Sequence, residues 1–267
     1  MPATNSPVFL AHADPAVFAR VRYLFVDIDD TLTKDGKLGP QAYAALWDLA
    51  DAGVHVIPVT GRPAGWCDLI VRQWPVAAVV GENGAFAFYL RDGVRKEWYH
   101  PGVVGQSAQR LADIARGVFE AVPGTREAKD QFSRLFDFAV DFAEEPPFLT
   151  LEDAKRIAAV CAAAGAKAKI SSIHVNFWLG DYDKLSGVRA FMQDVEGVEE
   201  ASLREHSVFC GDSANDEPMF GYFPLSVAVA NVEAFLPMMG QKPAYITRNS
   251  HGHGFAELSE LVRRVLV

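Results

Sequence analysis

The sequence is poor in cysteine: Cys67, Cys161 and Cys210 lie far apart, are odd in number and form no CxxC pair. That excludes a disulfide framework and the usual zinc spacings, and a reducing cytoplasm is the simplest setting. Long apolar runs are missing too. No stretch approaches the roughly 20 residues of a membrane span. Residues 1–20 hold Asp and His without a continuous apolar run, so no signal peptide is expected either. Basic charge is in deficit, with 25 Lys and Arg against 34 Asp and Glu, a net −9. A surface of that sign repels nucleic acid and anionic membrane, and neither is expected as a partner. Any site for a phosphorylated small molecule must therefore create its own positive field, from a metal ion or a few basic side chains. Repeats and low-complexity tracts are absent, and no feature sets an oligomeric state.

What is present is a chain of 267 residues, half of them hydrophobic, enough for one large core and a smaller inserted one. Tyr23-Leu24-Phe25-Val26-Asp27 is a continuous apolar run ending on an acid, the pattern of a buried parallel strand. Pro40 opens a helical pattern that Gly53 stops, Val54 to Val59 is a second strand, a helix follows Pro63, and Ala77 to Val80 is a third strand. Strand–helix alternation at this spacing predicts a parallel sheet covered by helices. From Phe86 the rhythm changes. Phe86–Leu90 and Val94–Tyr99 flank Arg91-Asp92-Gly93 as a hairpin. A helix over Gln106–Glu120, a half-exposed strand over Leu135–Phe142, a helix over Leu151–Ala164 and strands at Lys167–Ser171 and Ile173–Leu179 follow. The first rhythm returns with a helix over Leu185–Val195, strands at Ser207–Cys210, Ser226–Ala230 and Ala244–Thr247, and a helix over Gly254–Val265. The expected fold is α/β: a Rossmann-like parallel-sheet core from residues 1–84 and 182–267, with an α+β cap inserted at 85–181.

Open parallel sheets gather their chemistry at the carboxyl ends of the strands. The first strand ends Asp27-Ile28-Asp29-Asp30-Thr31-Leu32, two carboxylates one residue apart. The second ends Thr60-Gly61-Arg62, a hydroxyl and backbone N–H groups able to hold a phosphate oxygen, or an ordinary helix cap. Lys184 opens a helix just after the expected insert. Gly211-Asp212-Ser213-Ala214-Asn215-Asp216 follows another strand, with two acids four apart that suit a hard cation or a capped helix start.

In this order the four segments resemble the haloacid dehalogenase superfamily of phosphotransferases. Its D-x-D-x-T motif is matched by Asp27, Asp29 and Thr31, its strand-end Ser or Thr by Thr60, its lysine by Lys184, and its G-D-x-x-x-D by Asp212 and Asp216. Glu82-Asn83-Gly84-Ala85 and the segment from Gly211 to Met219 are similar to the subclass with a large α/β cap after the second motif, which includes Cof-type, sucrose-phosphate, trehalose-phosphate and mannosyl-phosphoglycerate phosphatases. Ser213 and Leu185 depart from positions where that subclass often has Gly, without removing a functional side chain.

The resemblance implies a Mg²⁺-dependent phosphomonoester hydrolase acting on a sugar phosphate or similar small metabolite. Asp27 is then the nucleophile and Asp29 the acid and base. Thr60, Gly61 and Lys184 hold phosphate oxygens. The metal is held by Asp27, the Asp29 carbonyl, Asp212 and Asp216, the last directly or through water. An acid at position 29, where ion pumps carry Thr, implies turnover rather than storage of the acyl-phosphate. Substrate contacts are expected from the cap and cleft. His174, Asn176 and Trp178 share one strand face, Asn83 and Asn215 lie in the motif loops, and Arg62 and Arg134 either bind a second anionic group or form surface salt bridges. His251 and His253 read as loop residues, and Cys210 as a small buried hydrophobe. Two rivals share these residues: a phosphohexomutase and a non-catalytic sugar-phosphate binder.

Overall fold

The computed structural model describes residues 6–103, 107–171 and 173–266. Residues 1–5, and Gln106 at the start of the expected first cap helix, lie outside the described residues.

In chain order the elements are β1 (Val8–Phe9), β2 (Tyr23–Val26), β3 (Thr33–Lys34), β4 (Lys37–Leu38), α1 (Pro40–Asp51), β5 (His55–Pro58), α2 (Ala64–Gln73), β6 (Ala78–Gly81), β7 (Phe86–Arg91) and β8 (Val94–Tyr99). Next come α3 (Ala108–Ala121), β9 (Arg126–Glu127), β10 (Asp137–Asp141), α4 (Leu151–Ala163), β11 (Lys167–Ile170) and β12 (His174–Trp178). The chain closes with α5 (Lys184–Asp194), α6 (Glu200–Glu205), β13 (Ser207–Gly211), α7 (Glu217–Tyr222), β14 (Leu225–Ala228), β15 (Tyr245–Ile246) and α8 (His251–Leu266).

The main sheet has six strands in the order β1-β15-β14-β13-β2-β5, and every pairing in it is parallel. Both faces are buried, as the unbroken apolar runs require. Leu24, Val26, Val56, Val208 and Cys210 point to the side covered by α1, α2 and α8. Phe25, Ile57 and Phe209 point to the side covered by α5, α6 and α7. Strand order reverses beside β2, whose neighbours are β5 and β13. A crevice therefore opens beyond the carboxyl ends of these three strands.

The strand expected at 77–80 forms, but it makes a single parallel bridge to the main sheet, Val59 with Val80. Its ladder is instead antiparallel to the hairpin β7–β8. The hairpin belongs to the body of the parallel sheet by its packing. Phe86 and Phe88 lie in the cluster under α2, and Ala87 and Trp98 pack with Phe191 of α5. The boundary expected at residue 85 followed a change of strand rhythm, whereas the separate apolar cluster of the insert runs from Leu111 to Leu179.

That insert is a four-stranded antiparallel sheet in the order β11-β12-β10-β9. Helices α3 and α4 cover one face through Leu111, Ala115, Val118, Ile157 and Cys161 against Phe138, Val140, Val175 and Phe177. The other face carries Lys169, His174 and Asn176 and borders the crevice. The segment expected as a half-exposed strand is buried throughout at Asp137–Asp141. Its carboxylates are sheltered by arginines, Asp137 by Arg134 at 2.9 Å and Asp141 by Arg126 at 2.7 Å. The last helix starts at His251 rather than near Gly254, so His251 and His253 are helical.

Candidate active site

A cavity of about 780 Å³ lies between the carboxyl ends of β2, β5 and β13 and the open face of the insert. Asp27, the first residue after β2, is held in place by its own N–H, which donates to the Cys210 carbonyl at 2.9 Å and so extends the β2–β13 ladder by one step. Lys184 Nζ donates to Asp27 Oδ1 at 2.7 Å and to Asp216 Oδ1 at 2.9 Å. Asp27 Oδ2 has no hydrogen-bond partner among the described residues.

Two glycines let Lys184 arrive there. Lys184 is the first residue of α5, behind a capping box formed by Asp183 and Ser186. A Cβ on Gly187 would lie 2.5 Å from Gly84 Cα, and one on Gly84, at φ +104°, would lie 2.1 Å from the Asp183 carbonyl. Any larger residue at either place would push the helix start away from Asp27.

Asp212 follows β13. Its Oδ1 accepts the Thr31 hydroxyl at 3.0 Å and its Oδ2 accepts Asn231 Nδ2 at 3.2 Å. Asn231 also donates to the Asp30 carbonyl at 3.0 Å and accepts the His251 N–H at 3.1 Å, tying four segments together. Asp216 is fully buried, with Oδ2 accepting the Asp212 and Ser213 N–H groups at 3.1 and 3.4 Å. Asp27, Asp212 and Asp216 each offer an oxygen within 4.8 Å of the others, a hard-donor set suited to a divalent cation.

The electrostatics follow from three acids out of water beside one ammonium. Burial pushes the Asp27 carboxyl up to about 7, Lys184 pulls against it, and Asp216 and Asp29 push further. Burial, then Asp216 and Asp27, raise Asp212 well above the usual carboxylate range. Burial works against the Lys184 ammonium, but Asp216 and Asp27 outweigh it and hold it charged.

Asp29 faces the cavity with both oxygens engaged by Arg62, Nη2 to Oδ1 at 2.7 Å and Nε to Oδ2 at 2.9 Å. The Arg62 guanidinium also lies over the Trp66 ring, 4.4 Å from its centre. Thr60 is wholly buried, its Oγ1 accepting the Arg62 N–H at 3.0 Å, while Gly61 lines the cavity. Arg134 touches the cavity but is committed elsewhere, donating to Gly61 O at 3.0 Å and pairing with Asp130 and Asp137.

Of the three cap residues expected on one face, His174 and Asn176 line the cavity, with His174 2.8 Å from Glu144 and Asn176 3.1 Å from Asp137. Trp178 does not reach the large cavity. Its indole stacks on Tyr182, donates to the Tyr182 carbonyl and borders a narrow side recess. Asn83 and Asn215 line both spaces, and Asn215 accepts the Ser213 hydroxyl at 2.7 Å. Sequence reasoning missed Asn231, Lys169 and the role of Glu82. Asn231 has no motif neighbour, and only its place after β14 at the same sheet edge marks it.

Among described residues no helix is long and apolar enough to cross a membrane. Residues 24–105 match the family model described as haloacid dehalogenase-like hydrolase. No curated protein sequence matches the chain. Among solved structures it is similar to Thermoplasma acidophilum 0175, with TM-score 0.69 and 18% identity over 90% of this chain and 99% of that one. It is also similar to the C-terminal domain of Candida albicans trehalose-6-phosphate phosphatase, with TM-score 0.70 and 15% identity over 97% and 98%. A third is the sucrose-phosphatase of Synechocystis, with TM-score 0.62 and 17% identity over 91% and 98%. At such identities the likeness is one of fold. What the comparisons give together is a match of residues 24–105 to the haloacid dehalogenase-like hydrolase model and a fold shared with these structures over nine-tenths or more of the chain.

Proposed function

We propose that the protein is a Mg²⁺-dependent phosphomonoester hydrolase that works through an aspartyl-phosphate on Asp27. One observation carries this reading: Asp27 stands at the strand reversal with one oxygen fixed by Lys184 and the other unpartnered at the cavity. The unpartnered oxygen attacks phosphorus, the Asp27 O–P bond forms, and the P–O bond to the leaving alcohol breaks. Asp29, which also lines the cavity, gives its proton to the departing oxygen. It then takes a proton from water as that water attacks phosphorus and the Asp27 O–P bond breaks, returning both carboxyl groups to their starting states. The Gly61 N–H and the Lys184 ammonium offset charge on the phosphoryl oxygens.

Asp27 and Asp212 fit a divalent cation best, since both line the cavity while the fully buried Asp216 does not. A bound Mg²⁺ supplies charge neutralisation for the phosphoryl group. The positive field that a net −9 chain needs would then come from that ion and Lys184.

Substrate size is supported by the cavity, whose roughly 780 Å³ suits a small sugar ester. Two similar structures are, by name, phosphatases of sucrose phosphate and trehalose 6-phosphate. Three buried free thiols suit a reducing cytoplasm.

The test is Asp27→Asn assayed for phosphate release from p-nitrophenyl phosphate with Mg²⁺. Loss of at least about 10³-fold in kcat is expected for removal of a nucleophile. Turnover at the wild-type rate sinks the assignment.

A further inference from the structure

We infer that Lys169 and Asn83 form a subsite for a second oxyanion group on the substrate, so that the preferred phosphomonoester carries a carboxylate or a second phosphate on its leaving group. This rests on reading the cavity as a phosphomonoester site.

The first observation is a charge count along the cavity wall. Lys184 pairs with Asp27 and Asp216, Arg62 with Asp29, and Arg134 with Asp130 and Asp137. His174 sits against Glu144. Lys169 alone among the lysines and arginines of that wall has no ion-pair or hydrogen-bond partner among the described residues. It stands opposite Asn176 in the β11–β12 ladder, so its side chain leaves the cap sheet on the cavity side. An ammonium held in a part-enclosed site without a counter-ion is a standing demand for an anion.

The second observation is independent of the first. Asn83 is nearly buried, and its Nδ2 has no hydrogen-bond acceptor. Glu82 and Asn83 are both left-handed, at φ 43° and 56°, a pair of strained residues that fixes the carboxamide against Gly61. Lys169 and Asn83 border the same recess of about 20 Å³, together with Lys184 and Asn215. That space takes one oxygen of such a group, the rest of which lies in the large cavity that Lys169 and Asn83 also line. Two donors without partners, one charged, thus belong to residues lining the same space as Lys184. The substrate groups with acceptors to match are oxyanions.

The experiment measures binding by calorimetry to Asp27→Asn protein in Mg²⁺, which separates recognition from chemistry. The probes share one open six-carbon chain: sorbitol 6-phosphate, 6-phosphogluconate, which has a carboxylate at the far end, and sorbitol 1,6-bisphosphate, which has a phosphate there. At least one of the two anionic probes is expected to bind about tenfold or more tighter than sorbitol 6-phosphate, and the better one identifies the oxyanion. Lys169→Met is expected to remove that advantage and Lys169→Arg to keep most of it. Equal binding of all three by unaltered Lys169, or an advantage that survives Lys169→Met, overturns the inference. So does equal weakening of all three, which would place Lys169 on the transferring phosphoryl group instead. Failure of phosphate release with the binding preference intact would defeat the phosphatase reading alone. Turnover with no preference would defeat only this inference.

Discussion

Arg62 grips Asp29 through two nitrogens, with Nη2 2.7 Å from Oδ1 and Nε 2.9 Å from Oδ2, and Trp66 backs the guanidinium from the far side. A bidentate fork of this kind fixes direction as well as distance. It aims Asp29 into the cavity beside Asp27, and it also occupies both oxygens that proton transfer needs. The acid role therefore requires the fork to loosen when substrate arrives.

The leaving group reveals whether that reading is right. Alkoxide leaving groups need a proton far more than p-nitrophenolate does. Asp29→Asn is expected to cost about 10²–10⁴-fold in kcat/KM on an alkyl phosphate, and much less on p-nitrophenyl phosphate, because kcat/KM covers only the steps through departure of the leaving group. Arg62→Leu is expected to follow the same pattern at smaller size, since it acts by positioning Asp29. Steady-state kinetics on both esters check this, and an equal loss of kcat/KM on both would remove Asp29 from protonation of the leaving group.

A second prediction concerns the metal and pH. With burial lifting Asp27 to about 7 and raising Asp212 well beyond its usual range, the metal-free site holds protons at neutral pH. Carboxylate ligands must be ionised to bind, so Mg²⁺ displaces those protons. Calorimetry in two buffers of different ionisation enthalpy should show proton release on Mg²⁺ binding at pH 6, fading toward pH 8, with affinity rising over the same interval. The same shift sets the stability of the metal-free protein. A carboxyl whose folded pKa exceeds its unfolded value, about 4, binds more protons when folded. Its contribution is fullest at low pH and is lost as pH climbs toward about 7. Mg²⁺ should raise the Tm, more at pH 8 than at pH 6. No proton release at pH 6 would contradict the raised carboxyls.

The sequence made the parallel-sheet body and its candidate site legible because the polar residues stand at strand ends. Asp27, Thr60 and Asp212 each follow an apolar run, and Lys184 opens the helix after the insert, so order along the chain was enough to collect residues up to 185 positions apart. What stayed hidden depends on contacts that no local pattern carries. Asn231 reaches Asp30 and Asp212 only because β14 lies beside β13. Asp137 and Asp141 alternate with apolar residues just as solvated carboxylates would, and only Arg134 and Arg126 reveal that they are buried. Trp178 shares the period of His174 and Asn176 but is turned to Tyr182. The hairpin β7–β8 changes the strand rhythm without leaving the body, since rhythm reports pairing and not which core the side chains enter.

Glu82 joins the body to the cap. Its Oε1 accepts the Ala64 N–H at the start of α2, 3.1 Å away, and the Leu135 N–H at 2.9 Å. Its Oε2 accepts the Phe136 N–H at 2.6 Å and the Asp137 N–H at 3.3 Å, at the entry to β10. Arg134 completes the seam by donating to the Gly61 carbonyl. One buried side chain thus answers N–H groups from both sides. Removing it leaves several backbone N–H donors short of an acceptor, at about 1–3 kcal/mol for each that stays unsatisfied. Glu82→Ala should therefore lower the Tm by roughly 10 °C for a chain of this size. Glu82→Gln should cost less, because one acceptor oxygen remains while the new NH₂ faces N–H donors. Urea and thermal unfolding measure both, and limited proteolysis should find new cleavage near residues 130–136 in the alanine variant. A loss below about 1 kcal/mol, within the range of an ordinary surface contact, would mean that the cap is held to the body by other contacts.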